Sequence, residues 1–149
     1  MPLWLVYHPP AAFSTEEAKK SFAEDVTNVY MSFLGLPSFY VVVQFVLVSP
    51  STQFVGATTR DIPFIRITID HVAVHTNDNA DAHRNLTSRI DATLKPHIED
   101  QGYDWEYTVN ETPRGLWKIN GLIPPPHKSA AEQLWVREDK PVMYEGGQV

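Results

Sequence analysis

The chain has 149 residues, a formal net charge of -6 and 43% hydrophobic residues. That is enough to build one core, and too acidic to track a phosphate backbone or an anionic membrane. It has no cysteine, which removes disulfides, thiolate nucleophiles and cysteine-held metal clusters together.

The start, Met1-Pro2-Leu3-Trp4-Leu5-Val6-Tyr7, lacks the basic and long apolar stretches of a secretory signal, and no later run is long enough for a membrane span. A cytoplasmic protein without nucleic-acid or membrane partners is expected. Leu3 to His8 reads as a strand that stops at Pro9-Pro10, since proline cannot continue a hydrogen-bonded ladder. Ser14 followed by Glu17 forms a capping box. Ala18, Phe22, Val26, Val29, Tyr30, Phe33 and Leu34 then fall at helical spacing until Gly35 and Pro37. Tyr40 to Val48 is nearly all β-branched or aromatic and reads as a buried strand.

The second half repeats this order. Pro63 to Ile69 is a strand opened by proline, Asp78 or Asp81 can cap a helix carrying Ala82, Leu86, Ile90 and Leu94, and Tyr103 to Val109 is a fourth strand. A shift of about 61 residues lays Pro2 on Pro63, the trace of an internal duplication. The expected fold is α/β: two tandem β-α-β units in residues 1–49 and 62–111, one four-stranded sheet with both helices on one face, and a C-terminal arm in residues 112–149, all within a single domain. Strands this apolar need cover on the other face, most simply from further copies of the chain. The arm carries Pro124-Pro125-Pro126 and a short helix from Ser129, with Glu132 completing its cap and Leu134 and Trp135 available for docking.

Pro2 is the first candidate for chemistry. Met1 is readily removed before a small residue, which would leave a secondary amine whose pKa burial and nearby charges can move toward use as a base or an acid. Alternatively the proline simply begins an edge strand. His71 and His75 lie on or just after a strand, where four residues span roughly 13 Å, too far to share an ion directly. No metal and no cofactor are expected, and no Walker, dinucleotide or nucleophile-elbow glycine motif is present. Arg66, Arg84, Arg89 and Arg114 can each pair with a substrate carboxylate or lie solvated on the surface. Tyr30 and Tyr107 line the core or touch a ligand with their polar tips.

An N-terminal proline, tandem β-α-β units, Trp105-Glu106-Tyr107, Glu111-Thr112-Pro113 and the closing Gly121-Leu122-Ile123-Pro124-Pro125-Pro126 together resemble the tautomerase superfamily. Within it the chain is most similar to the cis-3-chloroacrylic acid dehalogenase group and its fungal relatives. The resemblance implies a homotrimer built around a central barrel of three sheets, acting on a small-molecule substrate. It also implies that Pro2 is catalytic with Tyr107 from a neighbouring subunit, and that Tyr30 stands where the dehalogenases carry a histidine. Their two arginines fall near His75 and Asp78, and their water-activating glutamate near Ile119, beside Asn120. Losing both arginines and the glutamate argues against hydrolytic dehalogenation, whereas tautomerisation needs only one base and a polar group for the enolate oxygen. Tyr30 and Tyr107, with His75 and Asn120, can supply that group, and Arg66 is a further candidate for the substrate. The expectation is a tautomerase using the Pro2 amine on a small carbonyl or unsaturated carboxylic acid, in the base role if apolar neighbours such as Leu3 and Ile119 desolvate it and Asp78 keeps away. The alternatives are a hydratase or dehalogenase of 3-substituted acrylates and a non-catalytic oligomeric binding protein.

Overall fold

A computed structural model of the chain describes residues 1–72 and 75–148. Strand β1 (Leu3–His8) is followed by helix α1 (Glu16–Leu34) and strand β2 (Val42–Leu47). The second unit repeats this as β3 (Phe64–His71), α2 (Ala80–Leu94) and β4 (Asp104–Glu111), and a short helix α3 (Ala130–Glu138) lies in the arm.

Local chemistry sets the helix ends. The Thr15 hydroxyl accepts from the Ala18 N–H at 3.1 Å, so α1 starts one residue later than a Ser14–Glu17 box would place it. Glu16 and Glu17 still sit in the first turn, where the exposed N–H groups favour negative charge. Gly35 adopts a left-handed φ of 66° and ends α1, a conformation that costs any residue with a Cβ. Asn79, rather than Asp78 or Asp81, caps α2 by accepting from the N–H groups of Asp81 and Ala82. The Ser129 hydroxyl caps α3 by accepting from Glu132 N–H. Tyr40 falls outside β2, in a short 3-10 turn over Ser38–Tyr40, and is fully buried.

The sheet order is β2-β1-β3-β4, parallel within each unit and antiparallel where β1 meets β3. Each unit is closed by the same pair of bonds. Val42 N–H donates to Pro2 O at 2.9 Å and Asp104 N–H to Pro63 O at 3.0 Å; at the other end Val48 N–H meets His8 O and Thr112 N–H meets His71 O. The duplication read from the sequence is thus repeated in the hydrogen bonding.

Strict alternation sorts the two sheet faces. Trp4, Val6, Ile65, Ile67 and Ile69 point to the helices and are at most 2% exposed, packed with Phe22, Val26, Ile90 and Leu94. The opposite face is divided. Its β1–β2 half carries Leu3, Leu5, Tyr7, Val42 and Val46 around a single polar residue, Gln44, while its β3–β4 half, after Phe64, carries Arg66, Thr68, Asp70, Asp104, Glu106, Thr108 and Asn110. The expectation of an apolar outer face therefore holds for only half the sheet, because β3 and β4 alternate where the sequence reading took them as continuously apolar.

The arm folds back on the turn before β2. Trp135 is fully buried against Phe39, Tyr40 and Tyr144, and its indole N–H donates to Val142 O at 2.7 Å. Trp135→Ala removes this anchor and is expected to cost about 3–5 kcal/mol. The check is a urea titration, where the unfolding midpoint should drop well below that of the parent; an unchanged midpoint would mean the arm does not dock.

Candidate active site

The β1–β3 register fixes the centre of the site. Leu3 opposes Asp70 and Trp4 opposes Ile69, so the ladder continued by one residue sets Pro2 opposite His71. Both are on the helix-facing side, at a spacing where cross-strand side chains touch. On the other side of His71 the β3–β4 register places Glu111. Pro2, His71 and Glu111 form a row across one end of the sheet, and Pro2 and His71 are both buried.

Helix α1 lowers Tyr30 onto this row. The Trp4 indole, which can only donate, reaches the Tyr30 hydroxyl at 3.0 Å, and that hydroxyl lies 2.6 Å from His71 Nε2. With no third partner among the described residues, the phenol donates its own proton to His71, which leaves the imidazole proton on Nδ1. Burial pushes the Tyr30 phenol well above its ordinary range. Burial also lowers His71 to about 4, opposed by Glu111 and Asp70 and reinforced by the terminal ammonium and His75. At neutral pH both are uncharged, as a dry polar chain requires.

Glu111 anchors the loop after β3. Its Oε1 accepts from the N–H and hydroxyl of Thr76, both at 2.7 Å, and its Oε2 lies 3.5 Å from His75 Nδ1. Burial works to raise this carboxyl, but the Thr76 hydrogen bonds and the neighbouring His75 outweigh it and hold the pKa below the usual value.

The chain's first amine lies beside this row. With Met1 in place its pKa falls to about 4, chiefly through burial, with Arg114 lowering it further and Glu132 opposing. Both charged residues come from the arm. Arg114 donates to the carbonyls of Pro124 and Pro125. Glu132 is 2% exposed, and its Oε2 accepts from Lys128 N–H at 2.7 Å and meets His127 Nδ1 at 3.0 Å. Its Oε1 and the hydroxyl of nearby Tyr40 are buried without a partner at hydrogen-bonding geometry. The carboxyl facing the amine is thus Glu132, where the sequence pointed to Asp78.

Tyr30 and His75 line one cavity of about 240 Å³, together with Trp4, His71 and residues of α1 and α2. Tyr107 is elsewhere, on the inner face of edge strand β4. It donates to Asp91 Oδ1 at 2.9 Å and borders a separate hollow with Asp78 and His83. Asn120 is exposed in the tight turn between Ile119 and Leu122. Arg66 lies on the opposite sheet face, 3.5 Å from Glu106 and donating to Thr108. The structure therefore groups Pro2, Tyr30 and His75 at one end of the sheet, and within this chain it leaves Tyr107, bonded to Asp91, and Arg66, on the opposite face, apart from them.

Sequence reasoning missed His71 and Glu132 as members of the site, and weighed Arg114 only as one of four arginines that can pair with a substrate carboxylate. For His71 a signal existed: it continues the alternation of Ile65, Ile67 and Ile69, which assigns its side chain to the helix-facing side. Nothing local marks Arg114 or Glu132, because only docking of the arm brings them to the amine.

These shifts carry a pH dependence with one sign. His71 titrates near 6.5 when unfolded and at about 4 when folded, so its burial is without penalty above pH 6.5. As pH falls from 6.5 to 4 the unfolded chain takes a proton that the folded one refuses, and stability drops by up to about 3 kcal/mol. The buried amine acts in the same direction. His71→Gln should flatten the fall in unfolding free energy over this window in denaturant titrations at stepped pH; an equally steep fall in the variant would reject the assignment.

Residues 1–140 match the model of a family described as "Putative oxalocrotonate tautomerase enzyme". The structure of RhCC from Rhodococcus jostii RHA1 superposes with a TM-score of 0.90 at 37% identity, over 95% of this chain and 99% of that one. A "probable enzyme" from the thermophilic fungus Aspergillus fumigatus gives 0.87 at 44% identity, over 97% and 98%. The structure of a fused 4-OT described as an asymmetric trimer shares the fold, at 19% identity and a TM-score of 0.57, over 81% and 94%. No curated protein matches. The family match over nearly the whole length, joined to the tandem β-α-β sheet, makes this chain a member of the tautomerase superfamily of enzymes.

Proposed function

We propose that the chain, with Met1 removed, is a tautomerase that uses the Pro2 secondary amine as general base toward a small carbonyl compound or unsaturated carboxylic acid. The observation that carries this reading is the burial of Pro2 at the start of β1, where the ladder sets it opposite His71 and where even the half-buried Met1 amine that precedes it is lowered well below its ordinary basicity. An amine kept neutral at pH 7 presents a lone pair, and a proton it takes from one atom of an enol can be returned to another. Arg114 gives the site a positive potential for the enolate or carboxylate that such a substrate carries. The Tyr30–His71 pair supplies neutral hydrogen-bonding groups at the same end of the sheet.

Within the superfamily, the N-terminal proline, Trp105-Glu106-Tyr107 and the closing Gly121-Leu122-Ile123-Pro124-Pro125-Pro126 support placing the chain with the cis-3-chloroacrylic acid dehalogenase-like group and its fungal relatives. Its chemistry would differ, since His75, Asp78 and Ile119 stand where that group has its arginines and glutamate. A second reading, hydration or dehalogenation of a 3-substituted acrylate, is favoured by one observation: Arg114 and Glu132 bring a cation and a carboxyl back to the amine from another part of the chain. The unpartnered Glu132 Oε1 would be the atom that takes a proton from water.

The assembly belongs to the same proposal. A trimer, as in the fused 4-OT structure, would cover the apolar β1–β2 half of the outer face and could bring Tyr107 to a neighbour's Pro2. Sedimentation should find trimers at micromolar concentration; a monomer would overturn this part.

The decisive comparison is between the processed chain and one that retains Met1, in which the Pro2 nitrogen is an amide without a basic lone pair. Ketonisation of phenylpyruvate-type enols should fall at least about 100-fold in the blocked chain, the usual scale of a lost general base. Equal rates would reject the proline mechanism. Pro2→Ala is the weaker control, because it leaves a primary amine. Halide release from 3-haloacrylates by the processed chain, abolished in Glu132→Gln, would select the hydratase reading instead.

A further inference from the structure

The cavity that holds Tyr30 and His71 does not end at them. It continues between the two helices, and its lining follows helical stripes. Val26, Val29, Tyr30, Phe33 and Leu34 contribute from α1, and Ala82, Leu86, Arg89, Ile90 and Thr93 from α2. Each helix returns to a strand parallel to the one it left, and β1 and β3 are antiparallel, so α1 and α2 run in opposite directions along this space. At about 1.5 Å per residue the α2 stripe from 82 to 93 is about 16 Å long.

Its ends differ in polarity. The Tyr30 hydroxyl, His71, His75 and Thr76 gather where α2 begins, beside Pro2, whereas Val26, Ile90 and Thr93 line the far end. Trp4 forms the floor. On the solvent side the Arg89 guanidinium lies 3.3 Å from the centre of the Phe33 ring, a cation–π stack that roofs the groove. The space exists because Ala82, Val26, Val29 and Thr93 are short where longer side chains would close it. Open apolar volume between packed helices is a standing loss of stability, which a ligand would recover.

We propose that this groove is the tail site for the substrate, a 2-oxo or unsaturated carboxylic acid carrying a straight apolar chain. The acid head lies at Pro2, Tyr30 and His71, and the tail runs between α1 and α2 beneath the Arg89–Phe33 stack. This rests on the proposed function for its head group and extends it to the substrate class.

The test measures binding first, with the Met1-retaining chain, so that the state of Pro2 does not matter. Straight-chain 2-oxo acids from 2-oxobutanoate to 2-oxodecanoate are titrated by calorimetry. Each methylene taken from water should tighten Kd about three- to four-fold until the groove is full. Val29→Trp and Ala82→Phe, both at half-buried positions, should each flatten that series by filling the space. Two variants guard against one failing to fold. Affinity independent of chain length would overturn the proposal. So would an equally steep series in both folded variants, which would place the tail on another surface. Turnover by the processed chain separates the two readings: tight length-dependent binding without turnover at any length rejects the proline mechanism and leaves the groove standing, whereas turnover with no dependence on length rejects the groove.

Discussion

The antiparallel pairing of β1 with β3 is the constraint on which the rest of the molecule depends. It joins two β-α-β units into one sheet, sets α1 and α2 side by side in opposite directions, and aligns the first residues of the chain with the last residues of β3. Without it Pro2 would have no buried neighbour and Tyr30 no imidazole to meet. A slip of one residue would turn His71 to the other face and put Asp70 or Val72 beside Pro2. The isoleucines of β3 prevent that slip, because it would also carry Ile65, Ile67 and Ile69 out of the core.

Much of the scaffold was legible because it is encoded locally. Strand alternation, helical stripes and proline stops placed every major element, with errors of a residue or two where competing caps were close together, as at Ser14 against Thr15 and at Asp78 or Asp81 against Asn79. The site was legible only where one element carries the information. Pro2 stood out as a residue in its own right, whereas Tyr30 and His75 entered as site residues through the resemblance. His71 was weighed only as half of a metal pair that its spacing ruled out, although its own strand assigns it to the interior. Glu132 was legible only as a helix cap, and nothing in the sequence separated Arg114 from the other three candidate arginines. The positions of Glu132 and Arg114 depend on Trp135 docking against Phe39 and Tyr40, a contact between segments nearly a hundred residues apart that no periodicity announces.

The arm thus has two functions that a sequence pattern does not separate. It completes the core with aromatic side chains, and it delivers both charges that act on the amine. Burial, the largest influence on that amine, also depends on the arm staying in place. Loss of packing far from the reacting atoms would let water reach the amine and return it toward its ordinary basicity. Stability and amine chemistry are therefore coupled through one tryptophan.

The repeated hydrogen bonds at Pro2 and Pro63 have an evolutionary consequence. The fold offers two equivalent corners, one at each end of the sheet, but joining the units by a continuous peptide gives the Pro63 nitrogen an acyl substituent. Only the corner at the chain's beginning can ever hold a basic nitrogen. Under the proposed proline mechanism, selection acts on one half of a symmetric framework, and the other corner is released to drift.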